Sequence, residues 1–244
     1  MAHQLIGYYT VADDSDGVLK VMRSYQYYAA SRISDRVTVI DRDKLWGTRG
    51  LKGGFVWHTT GSGKTMTSFK CAQLIANSKD ADKVVFLVDR IELGTQSLEQ
   101  YRSFANESET VQKTESTDAL KAKLKSSDPS DTLIVTSIQK MGNIDEDAMS
   151  ARDLEAIRKK RIVFIVDECH RVAGTPTAMT QFSKVLNALA ARHKYGLSAT
   201  VHRADGMIAA TYALLGGIAY QVPEEAVKDK IMTVSVLPRA THQG

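Results

Sequence analysis

One stretch constrains this chain more than any other. The apolar run Phe55-Val56-Trp57 is followed by His58-Thr59-Thr60-Gly61-Ser62-Gly63-Lys64-Thr65 and then by Met66-Thr67-Ser68-Phe69-Lys70-Cys71-Ala72, which suits a helix. A buried strand that ends in a glycine-interrupted loop and opens straight into a helix is the setting of a phosphate-binding loop. Gly61 and Gly63 allow backbone angles closed to other residues, so consecutive N–H groups can turn inward and join the helix N-terminus as an anion site. Around them, Thr60 to Thr65 would cradle a nucleotide's phosphates, with Ser62 inside the loop. Lys64 adds a full positive charge for the β- and γ-phosphates, and the Thr65 hydroxyl is a ligand for Mg2+, which favours oxygen donors supplied partly by phosphate. The strict pattern wants a glycine where this chain has His58, so it is met only in part. A chance match in a surface linker would not follow Gly54-Phe55-Val56-Trp57 or lead into Ser68-Phe69-Lys70-Cys71-Ala72-Gln73-Leu74-Ile75.

Four more apolar runs follow: Val84-Val85-Phe86-Leu87-Val88, Leu133-Ile134-Val135, Ile162-Val163-Phe164-Ile165-Val166 and Tyr195-Gly196-Leu197. They are continuous rather than alternating, as in strands buried on both faces of a parallel sheet. Helix-compatible stretches lie between them at 92–104, 117–124, 151–159 and 178–192. Strands alternating with helices predict an α/β domain, a mostly parallel sheet flanked by helices on both faces. Residues 18–33 also read at helical spacing, while Asp41-Arg42-Asp43 and 47–54 read as an exposed loop leading into the first core strand. The acidic and polar connections at 107–115 and 128–131 read as solvated loops. This divides the chain into a lead-in at 1–53, a core at 54–201 and a C-terminal extension at 202–244.

Composition narrows the class without deciding it. With 244 residues at 43% hydrophobic, the chain can bury a sizeable core, and one large domain fits the length better than two small ones. No apolar run is long enough to span a membrane, and Met1-Ala2-His3-Gln4 does not open a secretory signal. Cys71 and Cys169 alone cannot build a disulfide framework, which points to a reducing, cytoplasmic setting. A net charge of +4, from 32 basic against 28 acidic residues, suits a nucleic-acid partner but shows no basic stripe.

The second chemical feature is Asp167-Glu168-Cys169-His170, at the end of the most apolar run. Ligands of parallel sheets gather at the carboxyl ends of strands, so both carboxylates should face the phosphate loop. Asp167 can then hold Mg2+ while Glu168 orients and deprotonates the water that attacks the γ-phosphate. Cys169 and His170 as zinc ligands are the rival reading, weak because they are adjacent and lack a second pair. A plain strand-ending turn is the third.

With these residues in place the chain resembles the first RecA-like motor domain of superfamily 2 helicases and DNA translocases. Thr60-Gly61-Ser62-Gly63-Lys64-Thr65 would be motif I, Asp167-Glu168-Cys169-His170 motif II and Leu197-Ser198-Ala199-Thr200 motif III. Within that superfamily, Val56 to Thr65, Phe86-Leu87-Val88-Asp89-Arg90 and Thr136-Ser137-Ile138-Gln139-Lys140 resemble the motor of the type I restriction endonuclease R subunit, in which a histidine at the position of His58 is usual. The resemblance implies ATP and Mg2+ as cofactors and ATP-driven translocation on duplex DNA. It implies that His170, Ser198, Ala199 and Thr200 couple nucleotide state to DNA contacts, and that Arg90, Thr136 and Gln139 grip the DNA backbone. Arg23-Ser24-Tyr25-Gln26 resembles the upstream motif in which Gln26 would read the adenine edge, flanked by Tyr25 or Arg23; a core-facing aromatic helix over 25–28 is the alternative. Val201, in place of a more usual proline, and the segment 202–220 look closer to phage or repair helicases of the superfamily.

Such motors close the ATP site with an arginine from a second RecA-like domain, and only six residues follow Pro238, so that domain is expected outside this chain. Methyltransferase and specificity subunits of a restriction complex are the further partners implied. Two other classes stay open, a small-molecule kinase and a nucleotide- and DNA-binding module without turnover. Motif III, which has no kinase role, speaks against the first.

Overall fold

The computed structural model describes residues 9–13, 17–46, 48, 53–58, 62–88, 99, 103, 111–113, 116–144, 149–167, 169, 185–186, 193–199 and 208–227. Its centre is a seven-stranded sheet in the order β5-β6-β4-β7-β8-β3-β9. The strands are β3 (Gly54–Trp57), β4 (Lys83–Val88), β5 (Val111–Lys113), β6 (Leu133–Ser137), β7 (Ile162–Asp167), β8 (His193–Ser198) and β9 (Ile218–Gln221). Every ladder between them is parallel. A separate antiparallel hairpin joins β1 (Thr10–Asp13) to β2 (Val18–Val21).

The continuous apolar runs resolve into two faces, because successive side chains of a strand point opposite ways. Val84, Phe86 and Val88 enter one core with Val56, Ile165 and Leu197; Val85 and Leu87 enter the other with Phe55, Phe164 and Val166. The first face is covered by α1 (Ser24–Arg42) and α2 (Lys64–Ser78). The second is covered by α3 (Thr117–Lys125), α4 (Ile138–Gly142), α5 (Ala151–Arg158) and α6 (Ile208–Leu215). The expected architecture, a mostly parallel sheet between two helical layers, is the one observed. Cys71 packs in the first core and Cys169 in the second, so the sheet separates them.

Three local expectations change. Residues 18–21 form β2 rather than the start of a helix: Gly17 turns the chain at φ 66°, and pairing with β1 overrides the helical spacing. The helix starts at Ser24 and runs to Arg42, burying Tyr25, Ala29, Ile33, Val37 and Ile40 at three- and four-residue intervals, so Asp41 and Arg42 end a helix rather than lie in a loop. Val111–Lys113, expected as loop, adds an edge strand to β6. Residues 208–221 also join the main body, since β9 pairs with β3 and α6 packs in the second core. Among the described residues no helix is long and apolar enough to cross a membrane.

Candidate active site

The sheet order places the chemistry. Strand β8, last but one in the sequence, is inserted between β3 and β7, with Leu197 beside both Val56 and Asp167. The strand leading to the phosphate loop and the strand ending in Asp167 are thus two strand spacings apart, about 9.5 Å, and the long Lys64 side chain spans the gap. Its Nζ lies 3.1 Å from Asp167 Oδ1, the two side chains being only 18% and 24% exposed. One residue of each motif, Lys64 and Asp167, is thus brought together.

The end of the loop has the expected backbone. Gly63 sits at φ 75°, ψ 41°, caps α2 and turns the chain into the helix that begins at Lys64. An L side chain is strained at that φ, and a Cβ there would come within 2.4 Å of Gln26 Nε2. Thr65, in the first turn of α2, is half-buried and directly follows Lys64. A basic amine, a carboxylate and a neutral hydroxyl at a helix N-terminus form a donor set suited to a nucleotide phosphate with Mg2+. Thr60, Gly61, Glu168, His170, Thr200 and Arg90 lie outside the described residues.

Gln26 differs from expectation. It is 3% exposed, and its Nε2 donates to the carbonyls of Ser62 (3.2 Å) and Gly63 (3.3 Å) while its Oε1 accepts from Arg23 N (2.9 Å). Both amide protons are therefore engaged by the phosphate loop, and the side chain braces that loop rather than presenting a hydrogen-bonding edge to a base. Tyr25 is buried against Val222 and Val227, as the core-facing alternative has it.

Three hydrogen bonds escaped the sequence reading. His58, fully buried, places Nδ1 2.8 Å from Ser62 Oγ, and its backbone N–H donates to Ser198 O at 2.8 Å. Burial, reinforced by the Lys64 charge, pushes the imidazole down to about 4, so it is neutral at physiological pH. Next to it, Trp57 Nε1 donates to Ala199 O at 3.3 Å. The strand feeding the phosphate loop is therefore bonded directly to Ser198 and Ala199 of motif III. The only forward sign was His58 standing where the loop pattern has glycine.

Of the residues expected at DNA, Thr136 is 3% exposed at the carboxyl end of β6, whereas Gln139 is half-buried on α4. Ser137 Oγ accepts from Lys140 N at 3.3 Å and caps α4. Cys169 is 1% exposed among apolar neighbours, the setting of a core residue rather than a zinc ligand.

A parallel sheet with its phosphate loop, lysine–aspartate pair and third motif at one edge defines a P-loop ATPase domain of the RecA-like kind. The chain belongs to the SWI2/SNF2 ATPase family, whose model matches residues 25–236. It is 41% identical over 157 residues to the C-terminal part of the putative type I restriction enzyme MpnIIP endonuclease subunit of Mycoplasma pneumoniae, covering 64% of this chain and 75% of that protein. Identity to the type I restriction enzyme SauMSSORF170P endonuclease subunit of Staphylococcus aureus is 40% over 168 residues. This match takes in 69% of the chain but 16% of the staphylococcal protein, so the chain spans only a small part of such a subunit. Among solved structures, the Sulfolobus solfataricus SWI2/SNF2 ATPase core in complex with dsDNA has a similar fold, with TM-score 0.56 and 16% identity over 87% of this chain and 38% of that one. A nuclease-deletion mutant of the Type ISP restriction-modification enzyme LlaGI aligns with TM-score 0.55 and 19% identity, over 86% of this chain and 20% of that one.

Proposed function

We propose that this chain is the nucleotide-binding half of an ATP-driven DNA translocase of the type I restriction R-subunit kind, working in the cytoplasm. The observation that carries the reading is the Lys64–Asp167 contact of 3.1 Å, made across β8 beside a left-handed Gly63. Bound ATP with Mg2+ would supply the phosphoanhydride to be cleaved and a cation to neutralise its charge. In that state Lys64 turns from Asp167 to the phosphates, and Thr65 and Asp167 hold the metal. Glu168 takes the proton of the attacking water, which needs a carboxylate within hydrogen-bond reach of it.

His58 and Trp57 give the loop a direct route to motif III, so a change in the loop is felt at Ser198 and Ala199. His170 and Thr200 would complete that coupling, and Arg90, Gln139 and Thr136 would grip the backbone of a duplex. Thr136 contributes there only if its buried end of β6 opens. Duplex DNA and a second RecA-like domain are the partners of this reading, with methyltransferase and specificity subunits around them in a restriction complex.

In P-loop enzymes an arginine finger supplied in trans is worth about 10³ to 10⁵ in rate. We therefore expect the purified chain to turn over ATP very slowly, with or without duplex DNA, and a longer protein carrying the second RecA-like domain to turn over rapidly and respond to DNA. Steady-state phosphate release at saturating ATP measures both. Robust DNA-stimulated turnover by the short chain would overturn the half-motor reading.

A further inference from the structure

A cavity of about 560 Å³ opens between α1 and the β8–β9 side of the sheet, away from the phosphate loop. Tyr195, on its floor, pairs with Gly54 in the β3 register, three residues before the Trp57–Ser198 pair at the sheet's carboxyl edge. That offset is about 10 Å along the strands. The cavity is of a size that holds a small organic ligand, and a mostly apolar wall with a few converging polar groups is the usual make-up of such sites.

Three polar features converge on it. Tyr195 is fully buried and its hydroxyl has no hydrogen-bond partner among the described residues, a cost to the fold unless something satisfies it. Burial pushes this phenol up, with the Arg36 charge partly opposing the rise, so it is a hydroxyl donor at any physiological pH. Arg32, exposed at the mouth, forms no hydrogen bond or ion pair with the described residues. Arg36 is held in place by a 2.7 Å bond from Nη1 to Gly53 O, and a Cβ at Gly54 would lie 2.6 Å from that nitrogen. Gly54, at φ 144°, is thus the residue that lets the guanidinium lie against β3.

We propose that this cavity binds a small organic monoanion with an apolar body. Its carboxylate or equivalent anionic end lies between the Arg32 and Arg36 guanidiniums, whose planar forks suit such groups, and accepts from the Tyr195 hydroxyl. Ile40, Leu45 and Ala219 provide the surface for the apolar body. Asp35, at the same mouth, repels a second negative charge and so favours a monoanion over a nucleotide or a phosphodiester chain. The apolar wall likewise gives nucleic acid nothing to hold.

Anilinonaphthalene sulfonate, an apolar body with one anionic end, is a direct probe by fluorescence titration of the whole chain. One molecule should bind per chain, displaced by naphthoate but not by naphthalene methanol or by ATP. Tyr195→Phe, which removes only the hydroxyl, and Arg32→Met, which removes a charge that has no hydrogen bond or ion pair among the described residues, should each weaken binding about tenfold. Their melting temperatures should stay at or above that of the parent. Unchanged affinity in both variants overturns the proposal, as does displacement by ATP, which would put the dye at the phosphate loop. A fall in the melting temperature of Tyr195→Phe with unchanged dye affinity would mean that the hydroxyl already has a partner such as water, and would also overturn it.

Discussion

Strand β7 has an ion pair at each end, and the two are built differently. At the carboxyl end Asp167 meets the compact, flexible ammonium of Lys64 at 3.1 Å. At the amino end Arg161, just before the strand, uses its whole fork. Nη2 and Nε donate to Asp82 at 2.8 and 3.3 Å, Nη1 donates to Asp41 at 2.7 Å, and the Arg161 backbone N–H reaches Asp82 at 2.7 Å. That knot ties the end of α1 and the starts of β4 and β7 together. Burial works against ionised Asp82 and Asp41, but the Arg161 hydrogen bonds outweigh it and hold both carboxyls below their ordinary value. The same strand thus carries one pair made to be exchanged for a ligand and one made to stay closed, as suits a site at one edge of a sheet and a foundation at the other.

Acid should separate the two ends, and this is the largest effect expected. Folded His58 titrates near 4 instead of the ordinary 6.5, so below 6.5 the unfolded chain takes up a proton that the folded one refuses. Its contribution is complete above pH 6.5 and is lost as pH falls towards 4, up to about 3 kcal/mol. The depressed carboxyls of the knot behave differently. Their stabilisation holds down to the ordinary carboxylate value of 3.8 and fails only below it. Urea midpoints measured from pH 7.5 downward should therefore fall in two stages, and His58→Gln should erase the first. A single stage near the carboxylate value in both proteins would break the contrast.

Next in size is Lys64→Ala. Removing a charge-assisted phosphate contact should cost about 1.5–3 kcal/mol, a ten- to hundredfold loss of ATP affinity by calorimetry. Melting temperature should barely move, since Asp167 keeps access to water. Arg161→Met should do the reverse, lowering the melting temperature by roughly 4–8 °C for about 2 kcal/mol and leaving ATP affinity unchanged. If both variants lose stability and affinity together, the two ends are not separable.

How much of this could be read from the sequence follows from burial and distance along the chain. Strands β3, β4, β6, β7 and β8 were legible because both faces are covered and their apolar runs are unbroken. The edge strand β9 was not, since Ile218 is 40% exposed and its neighbours are only partly covered, leaving no pattern to find. At the site, Gly63, Lys64 and Asp167 followed from motif chemistry and the rule that ligands gather at strand ends. Trp57 and Ala199, 142 residues apart, meet only because β8 is inserted beside β3, and sequence order carries no sign of that insertion. His58 showed itself as a departure from pattern, but its Ser62 partner became visible only once the loop closed back over the end of β3.

Gln26 offers the smallest effect and the finest test of how the exchangeable end is prepared. Its amide holds the carbonyls of Ser62 and Gly63, the last residues before the helix that carries Lys64, so it sets the loop's shape before any ligand arrives. Gln26→Ala removes these bonds, worth about 1 kcal/mol in net terms, and should weaken nucleotide binding roughly fivefold. Because the loop meets phosphates and not bases, the loss should be the same for ATP and GTP. The adenine-edge role implied by the resemblance predicts otherwise, with ATP weakened and GTP untouched. Calorimetry with both nucleotides on parent and variant decides between them: equal losses make Gln26 a brace of the phosphate loop, whereas an ATP-selective loss would mean that its amide leaves the loop for the base when nucleotide binds.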